Sequence, residues 1–131
     1  MQIEVAPTKD GGVAMIYATN NSLSALSAFR KKMDVTANNI ANALTDGFKK
    51  SRVTMEEGDP NGVNAVIDRV ETQGFPKESI KDGKPVTVEA SNVDLTEELP
   101  EMVITNTAYR ANLETLKTRN NMLGTLLDIF S

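Results

Sequence analysis

The sequence predicts a mainly α fold, with long N- and C-terminal helices pairing as a coiled coil around a small β-rich or irregular insert. Two apolar stripes carry that expectation. The first runs through Ile16, Thr19, Leu23, Leu26, Arg30, Met33, Ala37, Ile40 and Leu44. The second runs through Leu99, Met102, Asn106, Tyr109, Leu113, Leu116, Asn120, Leu123, Leu127 and Phe130. Both step by alternating threes and fours, the spacing of helices that pair along a seam. The third observation is the middle of the chain, which is acidic and broken repeatedly by Gly and Pro. At 131 residues the chain is long enough for one compact unit or a two-helix arm carrying a small insert.

Taken in order, residues 1–14 read as an N-terminal extension. Met1–Val13 is mixed and broken by Pro7 and Gly11-Gly12, so an extended or disordered tail is expected there. Residues 15–48 form the first helix and its turn. Asn20-Asn21-Ser22 offers a cap for a start near Leu23, and Ala14–Ala18 continues the apolar spacing for an earlier one. Thr45-Asp46-Gly47 supplies the stop, with Gly47 suited to a left-handed turn. Residues 49–90 form the insert. Asp59-Pro60-Asn61-Gly62 signals a turn, Val63–Thr72 a strand, Lys81–Pro85 a second turn and Val86–Glu89 a short strand. Residues 91–131 hold the second helix. Asp94 with Glu97 three residues later fits a capping box. Pro100 predicts a restart near Leu99 or a kink, since proline fits a helix only in its first turn.

Composition excludes much. The chain has no His and no Cys, so Ser–His and Cys–His nucleophile pairs and the usual zinc ligand sets are ruled out. No stretch is apolar enough to span a bilayer, and Met1–Gly12 lacks the charged and apolar regions of a cleavable signal. The net charge of −4 is partitioned: residues 30–52 carry six bases and two acids, residues 53–101 four bases and twelve acids. Such a division helps neighbouring copies dock in one orientation. Its sign is wrong for a nucleic-acid binder, and no aromatic residues interleave the bases. Neither a cofactor nor a small-molecule substrate is expected. The best catalytic candidates, Glu56, Glu57 and Asp59, read more simply as a charged surface turn than as a cation site.

Apolar residues beside the stripes argue for assembly. Phe29 and Val35 flank the first, and Val103, Ile104, Leu126 and Ile129 the second. Each such side chain left in water forgoes roughly 1.5–3 kcal/mol. Together they make a patch that monomers rarely tolerate. Leu23, Leu26, Met33, Ile40, Leu44, Met102, Tyr109, Leu113, Leu116, Leu123 and Leu127 are therefore the expected helix-pairing and assembly residues.

The segment Leu23–Lys49, LSALSAFRKKMDVTANNIANALTDGFK, resembles the N-terminal signature of bacterial flagellar rod and hook proteins. Met33-Asp34-Val35, Ala37–Asn42 and Gly47-Phe48-Lys49 carry the match. Ser91–Leu95, Tyr109–Asn112 and Met122–Leu127 resemble the same family's C-terminal domain. Because its insert is short, the chain resembles the short proximal rod proteins of the C type more than the hook and distal-rod proteins. The resemblance implies a structural, non-enzymatic subunit of the flagellar basal-body rod, polymerising through its terminal helices into a drive shaft for motility. It implies copies of itself and other rod proteins as partners, and passage through the flagellar type III export machinery to the periplasmic rod without a cleaved signal. It singles out Asn38, Asn39, Asn42, Gly47, Phe48, Asn92, Asp94, Arg110 and Asn112 as motif residues. The three asparagines of the first helix fall off its predicted seam, where amides would face adjacent subunits. The family usually starts a few residues before the first apolar heptad, which makes residues 1–14 an extension and leaves Met1 and Met15 as alternative starts. A generic helical adaptor forming a closed dimer or bundle is the competing reading.

Overall fold

In the computed structural model, residues 10–59 and 61–130 are described, 10–13 by backbone alone. Helix α1 spans Asp10–Ala41, and four strands follow: β1 Ser51–Glu57, β2 Val63–Arg69, β3 Pro76–Lys81 and β4 Lys84–Glu89. Helix α2 spans Leu95–Phe130. The chain is thus mainly helical with a small β insert.

The helices lie side by side and antiparallel. Asn39 bonds to Glu98, Lys32 pairs with Glu101, Asn112 bonds to Ser22 and Arg119 to Thr19. Partner numbers rise on one helix as they fall on the other, which only an antiparallel pair produces. At the α-helical rise, α1 is about 48 Å long and α2 about 54 Å.

Three boundaries differ from expectation. Asp10–Val13 belongs to α1, not to an extended tail, while residues 1–9 lie outside the described residues. Gly11 and Gly12 each cost roughly 1 kcal/mol, a penalty a long helix absorbs once nucleated. Helix α2 runs through Pro100 without a restart at Leu99. The capping box is half made: Asp94 Oδ1 accepts from the Thr96 amide at 2.8 Å, but Glu97 turns away to Lys50 at 3.0 Å.

The insert holds two antiparallel hairpins where two or three strands were expected. β1 pairs with β2 through Val53↔Ile67 and Met55↔Ala65, and β3 with β4 through Ser79↔Val86. The predicted strand Val63–Thr72 ends at Arg69, and Val70 then donates to Lys50 O at 2.9 Å. The first hairpin lies on α1, where the Val63 amide donates to Ser24 Oγ at 3.1 Å. The second packs on no other described helix or strand.

The apolar core is small. Among the described residues, Ala28 and Val53 are the only apolar side chains classed as buried. The helix seam explains why. Leu26, Met33 and Ile40 are half-buried, and their companions are Ser22, Phe29 and Thr36, not Leu23, Arg30 and Ala37. On α2, Met102, Tyr109, Leu116 and Leu123 turn inward with Glu98, Thr105, Asn112 and Arg119, while Leu99, Asn106, Leu113, Asn120 and Leu127 stay exposed. Both seams are rotated one residue from the most apolar choice. Phe29 apart, the residues that take the inward places are polar or small, and Glu98, Asn112 and Arg119 among them each find a partner on α1.

Candidate assembly interface

The junction between helices and insert is a hydrogen-bonded neck built largely from motif residues. Helix α1 ends at Ala41, and the chain turns through Gly47 at φ 69, where a side chain would be strained. That turn lets the Gly47 amide donate to Glu89 O at 2.8 Å. Asn39, 2% exposed, presents its amide edge to Ser51 as a neighbouring strand would. Its Nδ2 donates to Ser51 O at 2.8 Å, and the Ser51 amide donates back to Oδ1 at 3.0 Å. The same Nδ2 reaches Glu98 Oε2 at 3.1 Å, so one side chain joins α1, β1 and α2. This corrects the outward placement expected of Asn39: the rotated seam brings it inside.

Asn92 performs the second closure. Its Oδ1 accepts from the Lys50 amide at 2.6 Å, and its Nδ2 donates to Val70 O at 2.8 Å and Thr72 O at 2.9 Å. Glu89 holds the far side, accepting from Lys49 Nζ and from the Gly74 amide at 2.7 Å. Gly74 admits nothing larger, since a Cβ there would stand 1.9 Å from Ala90 O.

Two carboxyls here are held below their ordinary range. The Lys49 ammonium lowers Glu89, assisted by the Gly74 amide, and the Thr96 hydroxyl and then its amide lower Asp94. A group whose pKa is depressed by folding stabilises the fold above its unfolded pKa, and that contribution fades as pH falls through the folded value. The thermal midpoint is therefore expected to fall on acidification below the ordinary carboxyl values of about 4, where the depressed groups take up their protons. Glu89→Gln should flatten that fall. A midpoint equally acid-sensitive in the variant would show that other groups govern it.

The remaining motif residues lie at the margins. Asn38 is exposed and accepts from Asn42 Nδ2, whose Oδ1 accepts from Thr45 Oγ1 at 3.2 Å. Phe48 is half-buried, Asn112 Nδ2 donates to Ser22 O at 2.9 Å, and Arg110 is exposed with no side-chain partner among the described residues. Of the expected pairing residues, Leu23, Leu44, Leu113 and Leu127 point to solvent, Leu44 at 90% exposure. Val103, Ile104, Met122, Leu126, Ile129 and Phe130 extend that apolar surface along α2. Sequence reasoning missed Glu89, Glu98 and Gly74, whose roles depend on partners distant in sequence.

Glu56 and Glu57 are consecutive on β1 and so face opposite sides of the hairpin. Among the described residues no three acids gather into a potential metal site. No described helix is long and apolar enough to cross a membrane.

Comparison with known proteins finds matches over most of both helices. The family model for the flagella basal body rod protein matches residues 20–49, and that for the flagellar basal body rod FlgEFG protein C-terminal region matches residues 87–129. The flagellar basal-body rod protein FlgG of Bacillus subtilis is 46% identical over 43 residues, 33% of this chain but only 16% of that protein. The flagellar basal-body rod protein FlgC of Salmonella typhimurium is 30% identical over 115 residues, covering 76% of this chain and 86% of the relative. FlgC of Buchnera aphidicola is 32% identical over 129 residues, covering 84% and 93% respectively. With such identity sustained across nearly the whole of two relatives, the chain belongs to the flagellar basal-body rod protein family, near its FlgC type.

Proposed function

We propose that this chain is a structural subunit of the flagellar basal-body rod, adding to an open helical polymer through its two terminal helices. The outward apolar surface carries the reading: the helices share a mixed seam of apolar and polar residues and leave Leu23, Leu99, Leu113 and Leu127 exposed. A helix pair arranged this way gains most of its stability when other helices cover it. The alternating three-and-four spacing of both outward and inward sets suits coiled-coil packing within and between subunits. The 15–48 and 91–131 segments then form the assembling layer, with the 49–90 insert outside it.

In this reading the subunit is non-enzymatic, travels through the flagellar type III export machinery and comes to rest in the periplasmic rod beside copies of itself and other rod proteins. The discriminating experiment is sedimentation over a wide concentration range with helicity followed in parallel. A rod subunit is expected to gain helix and mass together without a limiting size, because heterologous contacts leave an end open. One closed stoichiometry with constant helicity would replace this reading with the adaptor. In cells lacking the chain, intact rods and filaments would also overturn it.

A further inference from the structure

The second hairpin is a regular two-stranded sheet with neither face covered. β3 and β4 pack only on each other, and the tethers to the rest of the chain sit at the base, through Lys77–Asp46 and the Glu89 bonds. A lone two-stranded sheet is marginal in water. Its strand register also sorts charge by face. Lys77, Ser79 and Lys81 lie on one side, directly opposite Val88, Val86 and Lys84, so that face has three lysines and no acid. Lys81 and Lys84 are a cross-strand pair of like charges, which is unfavourable in isolation. Both are exposed and neither has an ion pair among the described residues.

The turn of the first hairpin is its complement. Glu56 and Glu57 project from opposite sides of the hairpin's end and Asp59 follows in the turn, so the acidic charge rings the tip, where all three are exposed without a partner among the described residues. No base occurs between Val53 and Asp68. Within one chain the two hairpins do not touch. The acidic turn lies against Ser24, well down α1, while the basic hairpin is rooted at the neck.

We infer that the Lys81/Lys84/Val86 face of one copy seats on the Glu56/Glu57/Asp59 turn of a second copy. This contact is heterologous: each copy offers one basic and one acidic partner surface, so it leaves both ends of an assembly open. It relieves the lysine pair, covers Val86 and sets the orientation of neighbours. The inference rests on the polymer-subunit reading and adds a lateral contact made by the insert.

Charge reversal tests it, because all these side chains are exposed and unpaired and their replacement leaves the fold intact, as circular dichroism would verify. Lys81→Glu/Lys84→Glu and Glu56→Lys/Glu57→Lys are each expected to weaken self-association by about tenfold or more, and an equal mixture to recover it. Since the chain has no cysteine, Lys84→Cys and Glu57→Cys prepared separately should form mixed disulfide dimers on oxidation of the mixture. Reversal variants that assemble like the parent, or an absence of mixed dimers, would overturn the hairpin contact while leaving the polymer reading in place. A parent chain that fails to assemble at all would instead strike the polymer reading itself.

Discussion

Asn39→Ala is expected to destabilise the folded monomer by about 2–4 kcal/mol, the largest effect of any single polar substitution here. The side chain, 2% exposed, satisfies Ser51 N, Ser51 O and Glu98 Oε2 together. Removing it strands a donor and two acceptors, and a buried polar group left unpaired costs roughly 1–3 kcal/mol. Asn38→Ala, one residue away and exposed, should stay within about 0.5 kcal/mol of the parent. Urea denaturation at low protein concentration measures both. Equal effects at the two positions would mean that Asn39 does not tie the neck.

The second large effect concerns assembly rather than folding. Val103 and Ile104 are 65% and 63% exposed on α2. Val103→Asp/Ile104→Asp should leave monomer stability within about 0.5 kcal/mol of the parent, as exposed positions usually do. If those side chains are buried between subunits, the loss of about 3–6 kcal/mol of transfer free energy weakens association by roughly a hundredfold to ten-thousandfold. Sedimentation gives the association constant, and motility in cells carrying the variant gives its consequence. Unchanged assembly would remove this face of α2 from the interface.

These two substitutions mark what was readable in the residues. Both long helices were legible because Leu26, Met33, Ile40, Met102, Tyr109, Leu116 and Leu123 belong to either choice of seam. Which companion set turned inward was not legible. A scale of hydrophobicity favours Leu23, Leu99 and Leu113, whereas the structure favours Ser22, Glu98 and Asn112, which find cross-helix partners. Those partners come together only after the chain has folded back on itself.

Strand β1 was missed because Glu56-Glu57 breaks the alternation of Arg52, Val53, Thr54 and Met55. Strand β3 was missed because Ile80 is its one large apolar residue. The motif residues Asn39, Gly47 and Asn92 turn out to lie in the neck, where they bond within the chain. The motif words gave no geometry, however, and so Asn39 was assigned to the outside.

The neck has a mechanical consequence. Asn39 grips Ser51 with a donor and an acceptor at once, and Asn92 grips both Lys50 and the Val70–Thr72 segment. A single bond permits swivelling, whereas paired bonds of this kind resist rotation about the strand axis. Torque applied to the helix pair therefore passes into the first hairpin as a rigid turn and is not lost in a loose joint. On the proposal that this chain is a rod subunit, that stiffness would keep insert and helices turning together.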